Sequence, residues 1–187
     1  MAVTHGVRGD LAVLRRFRAG KWNSIACEPP DAGRIHVGAV QPTKELSLEN
    51  LPAFELIEPG TLREKLNDAV LRGTKTATSR LLVLDEMAHC PAEPAGSRMR
   101  LLDSNSATAA IIEITRTLVL TLGEVGPEVA GAEGEWFANV DQWRTAHTRY
   151  WNSKLPDIRL HLSDDEWQIN EETPVIVRLF THIKEDQ

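Results

Sequence analysis

Cysteine is scarce in this chain. There are two, Cys27 and Cys90, in 187 residues. Two cysteines so far apart give neither a disulfide framework nor a zinc-binding pattern, and a reducing, cytoplasmic setting is expected. No apolar run approaches the ~20 residues of a membrane span, and the N-terminus has no signal-peptide stretch, so no membrane partner is expected. An excess of positive charge is also missing. Lys and Arg total 21 against 27 Asp and Glu, a formal net charge of −6. The chain as a whole is therefore not a basic nucleic-acid binder, and any polyanion needs a local basic patch. There is no internal repeat, no low-complexity tract and no alternation of strand and helix of the βαβ kind. What is present is 42% hydrophobic and 26% charged residues, enough for one domain with a real core and too little for two.

Residues 7 to 18 read as an amphipathic helix with Val7, Leu11, Leu14 and Phe17 on one stripe. The same region is basic, with Arg8, Arg15, Arg16, Arg18 and Lys21 against Asp10. That is either a patch for an acidic partner or a solvated helix face. Residues 20 to 60 carry Pro29, Pro30, Pro42, Pro52 and Pro59 and read as irregular. Residues 1–53 are thus an N-terminal helix and a wrapping segment, and residues 54–187 carry the main body.

Thr61 to Arg72 reads as a helix, with Thr61 and Glu64 in capping-box spacing and Leu62, Leu66, Ala69 and Val70 as the buried stripe. Gly73 ends it. Thr76 to Leu84, Arg98 to Asp103, Thr108 to Leu122 and Pro174 to Ile183 read as strands, the second and third joined by a turn at Asp103-Ser104-Asn105-Ser106. The run from Thr108 is long enough to require a bend or bulge. Gly123 to Gly134 reads as a turn or short helix. Asn139 to Trp151 reads as a strong helix with Val140, Trp143, Ala146, His147, Tyr150 and Trp151 on one face, where His147 reads as a core histidine rather than a ligand. Trp22 and Trp151 read equally as core or as a dimer contact. Ser163-Asp164-Asp165-Glu166 has capping-box spacing and predicts a short acidic helix. Hairpin-like links without βαβ units predict an α+β fold with an antiparallel, curved or barrel-like sheet.

The densest chemistry lies in Gly73-Thr74-Lys75-Thr76-Ala77-Thr78-Ser79-Arg80. Lys75 is a candidate base, Thr78 a candidate nucleophile and Arg80 a candidate fork for phosphate or carboxylate. A plainer reading stands beside this one. Gly73 then only terminates the helix and the threonines only favour strand. Side chains alternate along a strand, so Lys75 and Thr78 converge only if the backbone turns near Lys75.

The spacing of Gly73, Lys75, Thr78 and Arg80 is similar to the G-x-K-x-x-T-x-R motif of the ASCH domain family. Ile112-Glu113-Ile114-Thr115 followed by Ala132-Glu133-Gly134-Glu135 is a second matching block, and Gln142-Trp143-Arg144-Thr145-Ala146-His147 a third. Together they resemble the larger bacterial ASCH subgroup over roughly residues 54 to 184. The resemblance implies a PUA-like curved antiparallel β-barrel with flanking helices. It further implies a pocket for a nucleoside, nucleotide or RNA.

Small ASCH proteins that deacetylate N4-acetylcytidine are assigned a lysine, a threonine and a glutamate, which fall here on Lys75, Thr78 and Glu133. On this resemblance Gly73, Thr76, Arg80, Glu135, Trp143 and Arg144 are the substrate-binding candidates. The implied activity is metal-independent amide hydrolysis without a cofactor, in a monomer or homodimer. A ribonuclease, a non-catalytic RNA-binding module with Lys75, Arg80 and Arg144 on phosphates and Trp143 or Trp136 under a base, and an inactive scaffold are the alternatives. Within the hydrolytic reading, Lys75 is either the base for Thr78 or, with water activated by Glu133, the group that stabilises the oxyanion.

Overall fold

A computed structural model describes residues 50–90 and 92–184. The expected helix at residues 7 to 18, the basic N-terminal patch and Trp22 lie outside the described residues. In chain order the elements are β1 (Ala53–Phe54), α1 (Thr61–Leu71), β2 (Ala77–Leu81), α2 (Leu82–Met87), β3 (Arg98–Leu102), β4 (Thr108–Thr121), α3 (Pro127–Ala132), α4 (Val140–Asn152), α5 (Leu155–Leu162) and β5 (Pro174–Ile183), with a 3-10 turn at Leu122–Glu124. The fold is α+β. No helix among the described residues is long and apolar enough to cross a membrane.

The five strands form one sheet in the order β1-β3-β4-β5-β2. The pairings β2–β5, β3–β4 and β4–β5 are antiparallel, as expected from hairpin-like links, while β1 pairs β3 in parallel. The sheet is therefore mixed, curved and barrel-like, and among the described residues its ladder ends at β1 and β2 without closing. The expected bulge is present. Between Ile114↔Phe180 and Arg116↔Leu179 the register shifts, so Thr115 is the extra residue that bends β4. Interior strand β5 is buried on both faces and reads as a nearly continuous apolar run broken by Arg178. Val175 and Val177 pack into one core with Leu81, Trp143, Trp151 and Ile158. Phe180 packs into the other with Phe54, Val70, Met99, Ile112 and Ile114.

Several local expectations are corrected. Helix α1 starts after Gly60, and Thr61 does not cap it; Glu64 instead accepts from the backbone N–H of Ser104 at 2.8 Å. Leu62 is 48% exposed, and the inward positions are taken by Arg63, Leu66, Asn67, Ala69 and Val70. Arg63 is buried because its guanidinium is satisfied there, donating to the carbonyl of Ile57 at 2.6 Å and to Glu55 at 3.0 Å. Strand β2 stops at Leu81 and the chain turns into α2, since Leu82 to Met87 bury Leu84 and Asp85 on one side as a helix does. Ser163 opens no acidic helix. It ends α5 in the left-handed conformation, with φ 54°, and the acids after it form a turn. Of the α4 face, Trp143 and Trp151 are buried while Ala146 is exposed. Trp151 is thus a core residue, not a dimer marker.

Two glycines place the chemistry. Gly73, with φ +76°, ends α1, and Thr74 and Lys75 then return their N–H groups to the carbonyl of Ala69 at 2.9 and 3.1 Å. Gly134, with φ +60°, lies against this turn, where a Cβ would come within 2.2 Å of the Thr74 carbonyl oxygen. Thr76 completes the join, donating its N–H to Ala132 at 2.7 Å and accepting from Phe180 at 2.8 Å. Gly134→Ala is expected to destabilise the fold by about 2 kcal/mol or more, because strain and a backbone clash combine. Gly131→Ala, in open space within α3, should be neutral or mildly stabilising. Urea midpoints of the two variants test this, and equal midpoints would refute it.

Candidate functional site

Once Gly73 has turned the chain, Lys75 lies outside β2 and points into the protein. Its side chain is fully buried. Nζ donates to the carbonyl of Glu133 at 3.2 Å and to Oε1 of Glu135 at 2.5 Å, and lies 3.5 Å from Oε2 of Glu133. Glu133 follows the last turn of α3 and is also fully buried. Its Oε1 accepts from the indole N–H of Trp143 at 2.9 Å, and its Oε2 lies 3.3 Å from Nε2 of His147. His147 stacks on Trp143 with ring centroids 4.2 Å apart. The four-residue spacing of Trp143, His147 and Trp151 on α4 puts the three rings in one column beside the carboxylate.

Burial opposes the negative charge of Glu133. Lys75, then His147 and Ser79, outweigh it and hold the carboxyl down at about 2. Ser79 Oγ is buried without a hydrogen bond of ordinary geometry, yet it is near enough to favour that charge. Glu133, Glu135 and His147 also bring ligand atoms within 4.8 Å of one another, a donor set of the kind that holds a metal. Here the Lys75 ammonium takes the cation position between the two carboxylates.

Beside this cluster lies a cavity of about 470 Å³. Thr78, Ser79 and Arg80 of β2 line it, with the 54–59 segment, Arg178 of β5, and Tyr150, Trp151 and Lys154. Every cation on its wall has an acid. Arg178 pairs with Asp85 at 2.5 Å and with Glu93, Arg80 with Asp85 at 3.3 Å, Lys154 with Glu58 at 2.5 Å, and Arg63 with Glu55 at 3.0 Å.

The structure thus brings together Lys75, Glu133 and Glu135. It places Thr78 and Arg80 in the adjoining cavity, where Lys75 and Glu133 do not reach the wall; Ser79 is the residue that touches both. Gly73 acts through its backbone, making the turn, and Thr76 stitches it with its N–H and its hydroxyl, which both donate to the carbonyl of Ala132, at 2.7 and 3.3 Å. Two substrate-binding expectations are corrected. Trp143 has no exposed surface and cannot stack on a base; its indole serves Glu133. Arg144, one position further round α4, points away, to Asp141 at 3.7 Å and the carbonyl of Gly123 at 3.5 Å. It borders an open groove of about 550 Å³ along α4 that contains none of the ionised cluster. His147, expected in the core, belongs to the site. So do Ser79, Asp85, Glu93 and Arg178, which sequence reasoning missed. A lone arginine inside an apolar strand was the available signal for Arg178.

The family model of the ASCH domain matches residues 54–181. The chain belongs to the ASCH domain family. Two solved structures are similar to it. A protein of family DUF984 from Enterococcus faecalis is 25% identical, with TM-score 0.54, over 64% of this chain and 67% of that one. An ASCH domain from Lactobacillus crispatus is 19% identical, with TM-score 0.61, over 71% of this chain and 79% of that one, and shows the common fold. No curated protein matches the chain.

In this ASCH domain the charge of Glu133 is linked to folding. Its carboxyl titrates lower in the folded state, at about 2, than the ordinary 4.5. The stabilisation is therefore complete above about pH 4.5 and is lost as pH falls from there toward 2. Melting temperatures measured across that window should fall more steeply for the wild type than for Glu133→Gln. Parallel curves would show that the pair does not support the fold.

Proposed function

We propose that this ASCH domain hydrolyses the amide of an N4-acylated cytosine nucleoside without a metal. The pairing of every cation on the cavity wall carries this reading. A phosphate backbone needs spare Lys or Arg, and Arg63, Arg80, Lys154 and Arg178 are each already matched by an acid. A cavity of about 470 Å³ with balanced donors and acceptors suits a small neutral ligand better than a polyanion. The buried Lys75–Glu133 pair gives the second support. Such pairs contribute little net stability because desolvation offsets their attraction, and perturbed ionised groups beside a cavity are a common mark of reactive sites.

In the proposed reaction Thr78 Oγ bonds to the acyl carbon. The bond from the acyl carbon to N4 breaks, N4 leaves with the electron pair and takes from Lys75 the proton that Thr78 shed, Lys75 recovers its own from Glu135, and cytidine is released. Lys75, surrounded by three acceptor oxygens, rests as an ammonium. To act as base it passes a proton to Glu135 across their 2.5 Å contact and swings from the Glu133 carbonyl to receive the proton of Thr78. Water then cleaves the threonyl ester, giving acetic acid and restoring the hydroxyl.

A second reading, RNA binding without turnover, draws on Trp136. Its indole is 66% exposed and free to stack on a base.

The test is release of cytidine and acetate from N4-acetylcytidine. The wild type should turn over, and chelator should leave the rate unchanged. Thr78→Ala, Lys75→Ala and Glu133→Ala, each checked for folding, should lose about a hundredfold or more. A folded wild type that releases no cytidine would sink the amidohydrolase reading, and salt-dependent RNA binding lost in Trp136→Ala would establish the second.

A further inference from the structure

Three strands carry one row of polar side chains across the sheet. Thr117 of β4 and Thr78 of β2 are both register partners of Arg178 in β5. Residues directly opposed on antiparallel strands share a face, with Cβ atoms about 5 Å apart. The row is therefore Thr117, Arg178, Thr78, and its last two members line the cavity of about 470 Å³. Arg178 is held in this row from two sides. Thr117 Oγ1 donates to the backbone carbonyl of Glu93 at 2.8 Å, and the Glu93 carboxylate accepts from Nε of Arg178. Asp85, buried on α2, accepts from Nη2 at 2.5 Å.

These bonds leave a donor and an acceptor over. A guanidinium has five N–H groups, two of them on Nη1. Among the described residues Nη1 of Arg178 makes no hydrogen bond. Glu93 receives Arg178 on Oε2, and its Oε1 makes none among them either. The two side chains keep 6% and 18% of their surface exposed, and both face the cavity. We infer that Arg178 and Glu93 are the base-reading pair of the site, Arg178 donating to N3 of a cytosine and Glu93 accepting from its N4–H.

The inference rests on the amidohydrolase reading for the class of substrate. Acylation of N4 leaves that nitrogen one N–H, so the edge of the base still presents an acceptor, N3, beside a donor. The wall presents a donor beside an acceptor. Uracil has the opposite order, N3–H beside the carbonyl oxygen O4. It would set its N–H against the guanidinium and its oxygen against the carboxylate, with each group left unpaired on leaving water. Asp85 and Glu93 balance Arg80 and Arg178, so the wall is neutral overall and suits a neutral edge better than a phosphate. Register supplies the reach. Thr78 stands opposite Arg178, one strand spacing of about 4.8 Å from it. A base held at Arg178 therefore has its acyl group beside the hydroxyl that is to attack it. Arg178 and Glu93 are specificity residues, and neither takes part in bond breaking.

The test has two arms. The first needs no turnover and no variant. Calorimetric titration of the wild type should show cytidine binding at least about tenfold more tightly than uridine. Equal affinities would overturn the inference. In Glu93→Leu, which leaves Arg178 its Asp85 partner, the ratio should fall to about twofold or less, with folding checked by circular dichroism. The second arm is kinetic. N4-acetyl-N4-methylcytidine has no N4–H, and the wild type should hydrolyse it with kcat/KM at least about tenfold below that for N4-acetylcytidine. Glu93→Leu should lose this preference, since it has no acceptor to leave unpaired. A structural role alone would lower kcat/KM for both substrates equally and keep the preference, and that result would overturn the inference. A wild type that binds cytidine over uridine but turns over neither amide would refute the amidohydrolase reading and leave the base-reading pair standing. Turnover with no preference for cytidine would do the reverse.

Discussion

The ammonium of Lys75 is the constraint around which the site is built. A fully buried cation cannot persist without compensation, because its desolvation amounts to several kcal/mol even after the protein relaxes. Here the compensation comes from two residues separated by one glycine, Glu133 and Glu135. That requirement fixes where the end of α3 must lie against the turn after α1, and it explains why Gly134 has backbone rather than side chain against Thr74. The column of rings on α4 follows from the same demand. Glu133 has two oxygens to satisfy, and Trp143 and His147 approach one each.

Much of this was legible in the sequence. Periodicity located α1, α4 and the four longer strands, and the length of β4 announced its bulge. The Gly-x-Lys-x-x-Thr-x-Arg spacing marked the site, and Glu133 and Glu135 were visible as acids flanking a glycine. What could not be read depends on tertiary neighbours. The inward turn of Arg63 and Asn67, in place of Leu62, is decided by the carbonyls of Ile57 and Leu102 that wait for them. Capping-box spacing misled at both Thr61 and Ser163, since the same residue order also satisfies a link to a distant loop or a plain turn. Helix α2 escaped notice because Leu82 to Leu84 are as apolar as a strand, and six residues are too few for a period to declare itself.

His147 and Trp143 show the limit most clearly. One aromatic face on a helix reads as core, and both are packed as core residues. Their polar atoms nonetheless serve a carboxylate ten residues or more away. Sequence gives the face and not the atom. Arg144, adjacent to Trp143, points the other way because a helix turns by about 100° per residue.

The two-residue strand β1 has a consequence for solubility. It lies parallel to β3 at Arg100 and Leu101, where an open sheet would otherwise offer another chain a row of unpaired backbone groups. With Ala53 and Phe54 in place, that margin of the sheet is reduced, among the described residues, to two residues, too short a template for an incoming strand to extend. Phe54, which also lines the cavity, therefore belongs to the short strand that blunts this edge of the sheet.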